Sequence, residues 1–340
     1  MAKNKIFYII LSFAISVLLI AYLLSQVETE DVLQTFTQIY YPALLVFIII
    51  AFTGTALRAW RYKWLLKPQR ISWGNIFLVT LIRNLFVDLL PLRIGSLSYI
   101  YVLNKRLNFP FEFATSSFVV AFVFDLLTLS PFLFLAIFAV GINTTSVSTT
   151  AVLAVALIFF LIIFLIIWKI IPLFSFLLKI YQKGLHAFRF EKRKWAEISV
   201  QKIDSTIDCL EQIKKKKIYW PLFSISFLIR LAKYTSLYFL LFSLLRSHGF
   251  FLKNLSIWKT ILGITGAELS SALPVKGIAG FGTWESAWAI TFRLLDFEQS
   301  IAIISGIGVH ILTNTFEYTL GIISILILAF PLLKKARIKS

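Results

Sequence analysis

The sequence predicts an all-α polytopic membrane protein with six long transmembrane helices and two re-entrant broken-helix hairpins in an inverted repeat. Composition is the first observation: of 340 residues, 59% are hydrophobic and 15% charged, and the mean hydropathy is +0.85, whereas about a quarter of a soluble domain is charged. Length is the second. Residues 6–24, 42–57, 113–140, 151–171, 220–245 and 301–330 are apolar runs, near the roughly 20 helical residues that cross a hydrocarbon core of about 30 Å. The third is a phrase written twice. It reads Leu90-Pro91-Leu92-Arg93-Ile94-Gly95, then Leu273-Pro274-Val275-Lys276-Gly277 running on to Gly280 and Gly282.

In chain order, run 6–24 follows a short basic leader, Lys3 and Lys5, as the core of a signal peptide also would. Its exit, Leu23-Leu24-Ser25-Gln26-Val27-Glu28, lacks an Ala-x-Ala cleavage pattern, so it reads as a retained first helix. Run 42–57 leads into Arg58-Ala59-Trp60-Arg61-Tyr62-Lys63-Trp64. Cations interleaved with aromatics at a span end read as an interfacial belt on headgroups.

Residues 73–103 and 257–295 hold the two broken phrases. Proline removes a backbone donor and glycine loosens the helix, so freed amides and carbonyls need partners that lipid does not supply. Two such breaks in corresponding places of two halves point to a binding site built from repeats. Pro91 and Gly95 form the first elbow, and Pro274, Gly277, Gly280 and Gly282 the second, where glycine tolerates positive φ. Pairs of full spans, 75–90 with 92–103 and 257–273 with 280–294, are the alternative, but such half-lengths suit re-entrant helices better.

The halves, about 1–172 and 218–333, are joined by a cytoplasmic segment at 179–217, and residues 1–340 form a single integral membrane domain. Within the joining segment Trp195, Ile198, Ile203, Ile207, Leu210 and Ile213 recur at helical spacing, with Lys202, Asp204, Asp208 and Glu211 between them. This amphipathic helix reads as lying on anionic headgroups, with a partner-helix site as the alternative.

The net charge of +18 is arranged along membrane edges, which argues against nucleic acid as a partner. Twenty-five of the 34 lysines and arginines fall in the N-terminal leader, residues 58–70, Lys105 with Arg106, residues 169–217 and the C-terminal tail. Cationic loops stay cytoplasmic, so both termini are placed inside a multi-pass cell-membrane protein. The first broken segment then begins and ends inside, the second outside. Cys209 alone allows no internal disulfide, and the scattered His186, His248 and His310 show no metal-ligand spacing, so no metal or cofactor is expected. An ATP-binding G-x-x-x-x-G-K-[ST] phrase is also missing.

Ionisable groups inside apolar segments cost several kcal/mol unless paired or wet, which makes each a functional candidate. Arg83, Asn84, Asp88 and Arg93 lie near the first elbow, and Lys259, Glu268, Lys276 and Glu285 near the second. Arg230 and Lys233, spaced i, i+3, share one helix face and need anions; Asp125, Glu268 or Glu317 can supply them. Ion pairs that merely hold helices together are the plain alternative. Arg93 and Lys276 follow the proline in both phrases, and a cation beside helix-end amides suits phosphate. The candidate substrate-binding set is Arg93, Arg230, Lys233, Lys276, Asn84, Glu268 and Glu285. His310, Asn314 and Glu317 lie at i, i+4, i+7 on one face of the last helix. With Asp125 they are candidates for ion coupling, a hydrogen-bonded pair fixing the helix being the alternative.

Arg58-x-x-Arg61, Asn84-x6-Pro91-x-Arg93-x-Gly95, and Leu273-Pro274-x-x-Gly277 followed by Gly280-x-Gly282-x-x-Glu285 resemble the membrane domain of lysylphosphatidylglycerol synthase/flippase proteins, from about residue 5 to 333. The first elbow departs from that pattern, with Leu92 and Arg93 where glycine is common. In two-domain relatives the membrane part is taken to move aminoacylated phosphatidylglycerol between leaflets, while a soluble domain makes it. This chain ends at Ser340, so the resemblance implies a stand-alone flippase-like domain without synthase activity.

The expected function is therefore a non-enzymatic flippase or translocator of a phospholipid or lipid-linked phosphate, with the headgroup in a central polar cavity. Its partners are membrane lipids with anionic headgroups, and oligomerisation is left open. A membrane-embedded transferase on a polyprenyl or glycolipid phosphate, with Asp88, Asp125 or Glu285 as base, is the alternative, as is a scaffold docking through the helix at 195–213.

Overall fold

The computed structural model describes residues 2–67, 69–141, 169–191, 193–215, 218–270 and 277–330, with isolated positions between 154 and 165. The described residues are helical apart from turns and short connections, and contain no strand. The helices are α1 (Ala2–Leu24), α2 (Thr29–Thr37), α3 (Tyr41–Leu65), α4 (Trp73–Leu89), α5 (Ser98–Leu107), α6 (Phe111–Gly141), α7 (Ile170–Ala187), α8 (Lys194–Lys215), α9 (Tyr219–Leu245), α10 (Ile257–Leu269), α11 (Thr283–Leu294) and α12 (Gln299–Ala329). Among them α3, α6, α9 with its extension to His248, and α12 are long and apolar enough to cross a membrane. These are four of the six expected spans. Helix α1 pairs with α2 across a 98° bend, and most of the expected span at 151–171 lies outside the described residues.

Both predicted breaks are present. Helix α4 stops at Leu89, a tight turn runs through Pro91–Leu97, and α5 follows; α10 stops at Leu269, and a turn at Ile278–Gly280 precedes α11. The four flanking helices have 17, 10, 13 and 12 residues, each short of the roughly 20 that span a bilayer. The two leading helices share a start: Ser72 Oγ accepts from Asn75 N at 3.3 Å, and Ser256 Oγ from Lys259 N at 3.3 Å. Each serine satisfies an amide that has no carbonyl partner in the first turn.

Helix α9 packs along α3, α12 along α4, α11 between α10 and α12, and α6 against α9 and α10. Lipid is as apolar as leucine, so association rests on close packing and interhelical hydrogen bonds rather than on escape from water. Two apolar clusters result. One gathers Phe47, Phe132, Tyr234, Leu241, Trp288 and Phe292; the other gathers Tyr62, Leu65, Ile76, Tyr99, Phe124 and Leu222. Three spans pass from one cluster to the other through polar residues: Thr55 and Arg58 on α3, Asp125 and Thr128 on α6, Ser226 and Arg230 on α9. That polar layer is where the site forms. At one end α2 is tied down by Gln34 Nε2 donating to Ser247 O at 3.1 Å and by Thr35 Oγ1 against His248 Nε2 at 2.6 Å.

Helix α8 corrects one expectation. Its apolar face does not lie on headgroups; it packs on α6 and α7, burying Ile207, Cys209, Leu210 and Ile213. Trp195 and Ile198, at the start of the helix, remain exposed.

Candidate functional site

Between the two apolar clusters lies a polar cavity of about 220 Å³. Helices α3 and α4 build one wall from Thr55, Arg58, Arg83 and Asn84. Arg58 Nη1 donates to Asn84 Oδ1 at 2.9 Å, and Arg83 Nη1 donates to the same oxygen at 3.3 Å. Asn84 Nδ2 in turn donates to Thr55 Oγ1 at 3.4 Å. Two guanidinium groups thus converge on one neutral amide. Among the described residues neither has a carboxylate within 4.0 Å, and the Nε of each is buried without a partner.

Beside that wall a buried ion pair closes the cavity. Arg61 is 0% exposed and grips Asp125 through both oxygens, Nη1 to Oδ1 at 2.6 Å and Nη2 to Oδ2 at 3.1 Å, while Nη1 also donates to Ser226 Oγ at 2.8 Å. Arg230 donates to the Asp125 backbone oxygen at 2.5 Å and lies 3.9 Å from Glu268 Oε2; Lys233 is paired with Glu268 Oε1. The i, i+3 pair on α9 therefore meets its anion on α10, as its spacing predicts.

The remaining wall comes from α12 and the second elbow. His310 Nδ1 lies 2.6 Å from Glu285 Oε1, and Glu285 Oε2 accepts from Gly282 N at 2.8 Å. The imidazole stacks on Trp284, with centroids 4.7 Å apart and planes at 26°. Next along α12, Thr313 Oγ1 and both amide atoms of Asn314 are buried without a hydrogen-bond partner, and both residues line the cavity. Orphaned polar atoms cost free energy unless a water or ligand reaches them.

The elbow behind His310 accounts for its own backbone. Ile278 N donates to Ser16 Oγ at 2.8 Å, Gly280 N to Gly277 O at 2.9 Å, and Thr283 Oγ1 to Gly280 O at 3.0 Å. Gly280 and Gly282 take φ of +85° and +84°, where a side chain is strained. Gly277 does not, with φ −61°; its need is close approach, since a Cβ there would meet Phe281 O and Ser16 Oγ. At the first elbow Gly95 likewise sits against the Phe86 carbonyl.

Of the expected site residues, Asn84, Asp125, Arg230, Lys233, Glu268, His310, Asn314 and Glu317 line this one cavity. Glu285 does not; it is 0% exposed, behind His310. Pro274 and Lys276 lie outside the described residues, as do the side chains of Pro91, Arg93 and Asp88. Arg83, a candidate beside the first elbow, also lines the cavity, while Arg58 and Arg61 are additions to the site and correct the reading of 58–64 as a belt on headgroups. The signal was the helical phase. Arg61, Tyr62 and Leu65 form the buried face that Arg58 shares, whereas Trp60, Lys63, Trp64, Lys67 and Trp73 line a separate surface cleft.

A family model described as the lysylphosphatidylglycerol synthase TM region matches residues 9–321. The chain belongs to this family. The match takes in every residue that lines the cavity. No curated protein matches the chain. As a member of the lysylphosphatidylglycerol synthase TM region family with its set of apolar helices, it is a multi-pass membrane protein with a role related to membrane lipid.

Proposed function

We propose that the protein is a lipid flippase or translocator rather than an enzyme. It passes the phosphate-bearing headgroup of a phospholipid or lipid-linked phosphate through the cavity while the acyl chains stay in lipid. The observation that carries this reading is the pair Arg58 and Arg83, two guanidinium groups on one neutral amide with donors left over. A phosphate diester offers the charge and the acceptors they lack. At about 220 Å³ the cavity is below the roughly 300–1,000 Å³ of sites that engulf whole ligands, which suits a headgroup alone.

The test is dithionite quenching of fluorescent NBD-phosphatidylglycerol in proteoliposomes. Arg83→Gln is expected to slow lipid movement about 10–100-fold, the worth of a hydrogen bond to a charged group, with folded protein recovered in normal yield. Unchanged movement in Arg83→Gln would remove the basis for the reading. Equal loss of folded protein and of movement would mark Arg83 as structural.

The proposal includes the arrangement expected from charge: a cell-membrane protein with both termini cytoplasmic and two hairpins dipping from opposite faces. Matching serine starts on α4 and α10, and matching breaks after them, support it. In a background without Cys209, a cysteine at Asn104 is expected to label only from the cytoplasmic side and one at Phe250 only from outside. Labelling of both from one side would refute the inverted arrangement.

A further inference from the structure

The flippase reading leaves a buried carboxylate without a task. Glu285 is 0% exposed, yet both its oxygens are used, one by the backbone amide of Gly282 and one by His310 Nδ1. A buried carboxylate with these partners holds the imidazole as the tautomer that carries its proton on Nδ1. That leaves the Nε2 lone pair of a cavity-lining residue as a proton acceptor.

We propose that the His310–Glu285 pair is a proton-binding site that couples lipid movement to a proton gradient. This inference rests on the flippase reading. A proton arriving through cavity water binds the Nε2 lone pair and no bond breaks; the pair goes from a net charge of −1 to 0. The charged groups that face it across the cavity are Arg58 on α3, Arg83 on α4, Asp125 on α6, Arg230 and Lys233 on α9, and Glu268 on α10. Glu317 lies two turns along α12 itself. Of the acids, Asp125 is held by Arg61, and Glu268 by Lys233 with Arg230 nearby.

Neutralising the pair makes the cavity one charge more positive and so favours an anionic headgroup at Arg58 and Arg83. By linkage the bound headgroup favours the proton equally. One proton moving with one singly charged lipid is electroneutral, so a pH difference drives it and a membrane potential does not. The orphaned Thr313 and Asn314, next to His310 on the same helix, give water a polar path to the ring.

The experiment loads proteoliposomes with NBD-phosphatidylglycerol and imposes a pH difference of one unit. Wild type is expected to build a leaflet asymmetry of about tenfold, the ratio of proton activities, and to show none under a potassium diffusion potential alone. In His310→Asn the amide nitrogen can take the place of Nδ1 beside Glu285 but does not titrate. This variant should still equilibrate lipid without a gradient yet build no asymmetry. Lipid that moves in wild type but reaches equal leaflets under the pH difference overturns the coupling and leaves the flippase reading standing. Retained asymmetry in His310→Asn also overturns it. No movement in wild type under any condition overturns both.

Discussion

Replacing Arg61 by methionine is expected to cost about 3–5 kcal/mol, the penalty for stripping one partner from a buried ion pair, and to abolish recovery of folded protein. Arg61 is 0% exposed and makes three side-chain hydrogen bonds, two of them to Asp125. Removing it leaves the Asp125 carboxylate, 26% exposed on the cavity, without the guanidinium that holds both its oxygens. The double change Arg61→Met with Asp125→Leu should regain much of the loss, because apolar replacement of both partners is often neutral or better. Thermal unfolding in detergent, read by gel filtration, distinguishes the cases. A melting point for Arg61→Met equal to wild type would mean that the pair does not hold α3 to α6.

The second large effect is expected at Gly280. Its φ of +85° and its buried position leave no relaxed conformation for valine, and a β-branched residue there costs on the order of 1–3 kcal/mol in backbone strain alone. The larger consequence is positional. The Gly280 turn sets Gly282, Gly282 holds Glu285, and Glu285 holds His310 against the cavity. Gly280→Val should therefore abolish the pH-driven asymmetry of NBD-lipid, with folded protein partly retained. Gly184→Val is the control, since a Cβ at Gly184 meets nothing within 4 Å. Wild-type asymmetry in Gly280→Val would separate the elbow from the site.

Much of the fold was legible because its causes are local. An apolar run of sufficient length has to become a helix in lipid, since no other backbone satisfies its own amides there; α3, α6, α9 and α12 follow from that. A proline followed by glycines ends a helix in both phrases, so the breaks after Leu89 and before Thr283 could be placed without knowing any contact, whereas Pro131 stands alone inside an unbroken α6. Helical phase is local too, and it put His310, Asn314 and Glu317 on one face, which lines the cavity. The same reasoning applied to 58–64 would have separated Arg58 and Arg61 from Trp60 and Trp64. The aromatics there suggested a headgroup belt, and composition was allowed to outweigh phase.

Partnership was decided only in the tertiary structure. Arg61 and Asp125 are 64 positions apart, Arg230 and the Asp125 carbonyl 105, Arg58 and Asn84 26, and His310 and Glu285 25. Burial cost says that each charge needs a partner, and the chain contains several partners of the right sign, so chemistry alone does not choose among them. The crossing of α3, α4, α6, α9 and α12 makes the choice, seating Arg61 on Asp125 while leaving Arg58 and Arg83 with an amide. The apolar face of α8 shows the same division. Periodicity required that face to be covered, and only the packing of α6 and α7 determined that protein rather than headgroups covers it.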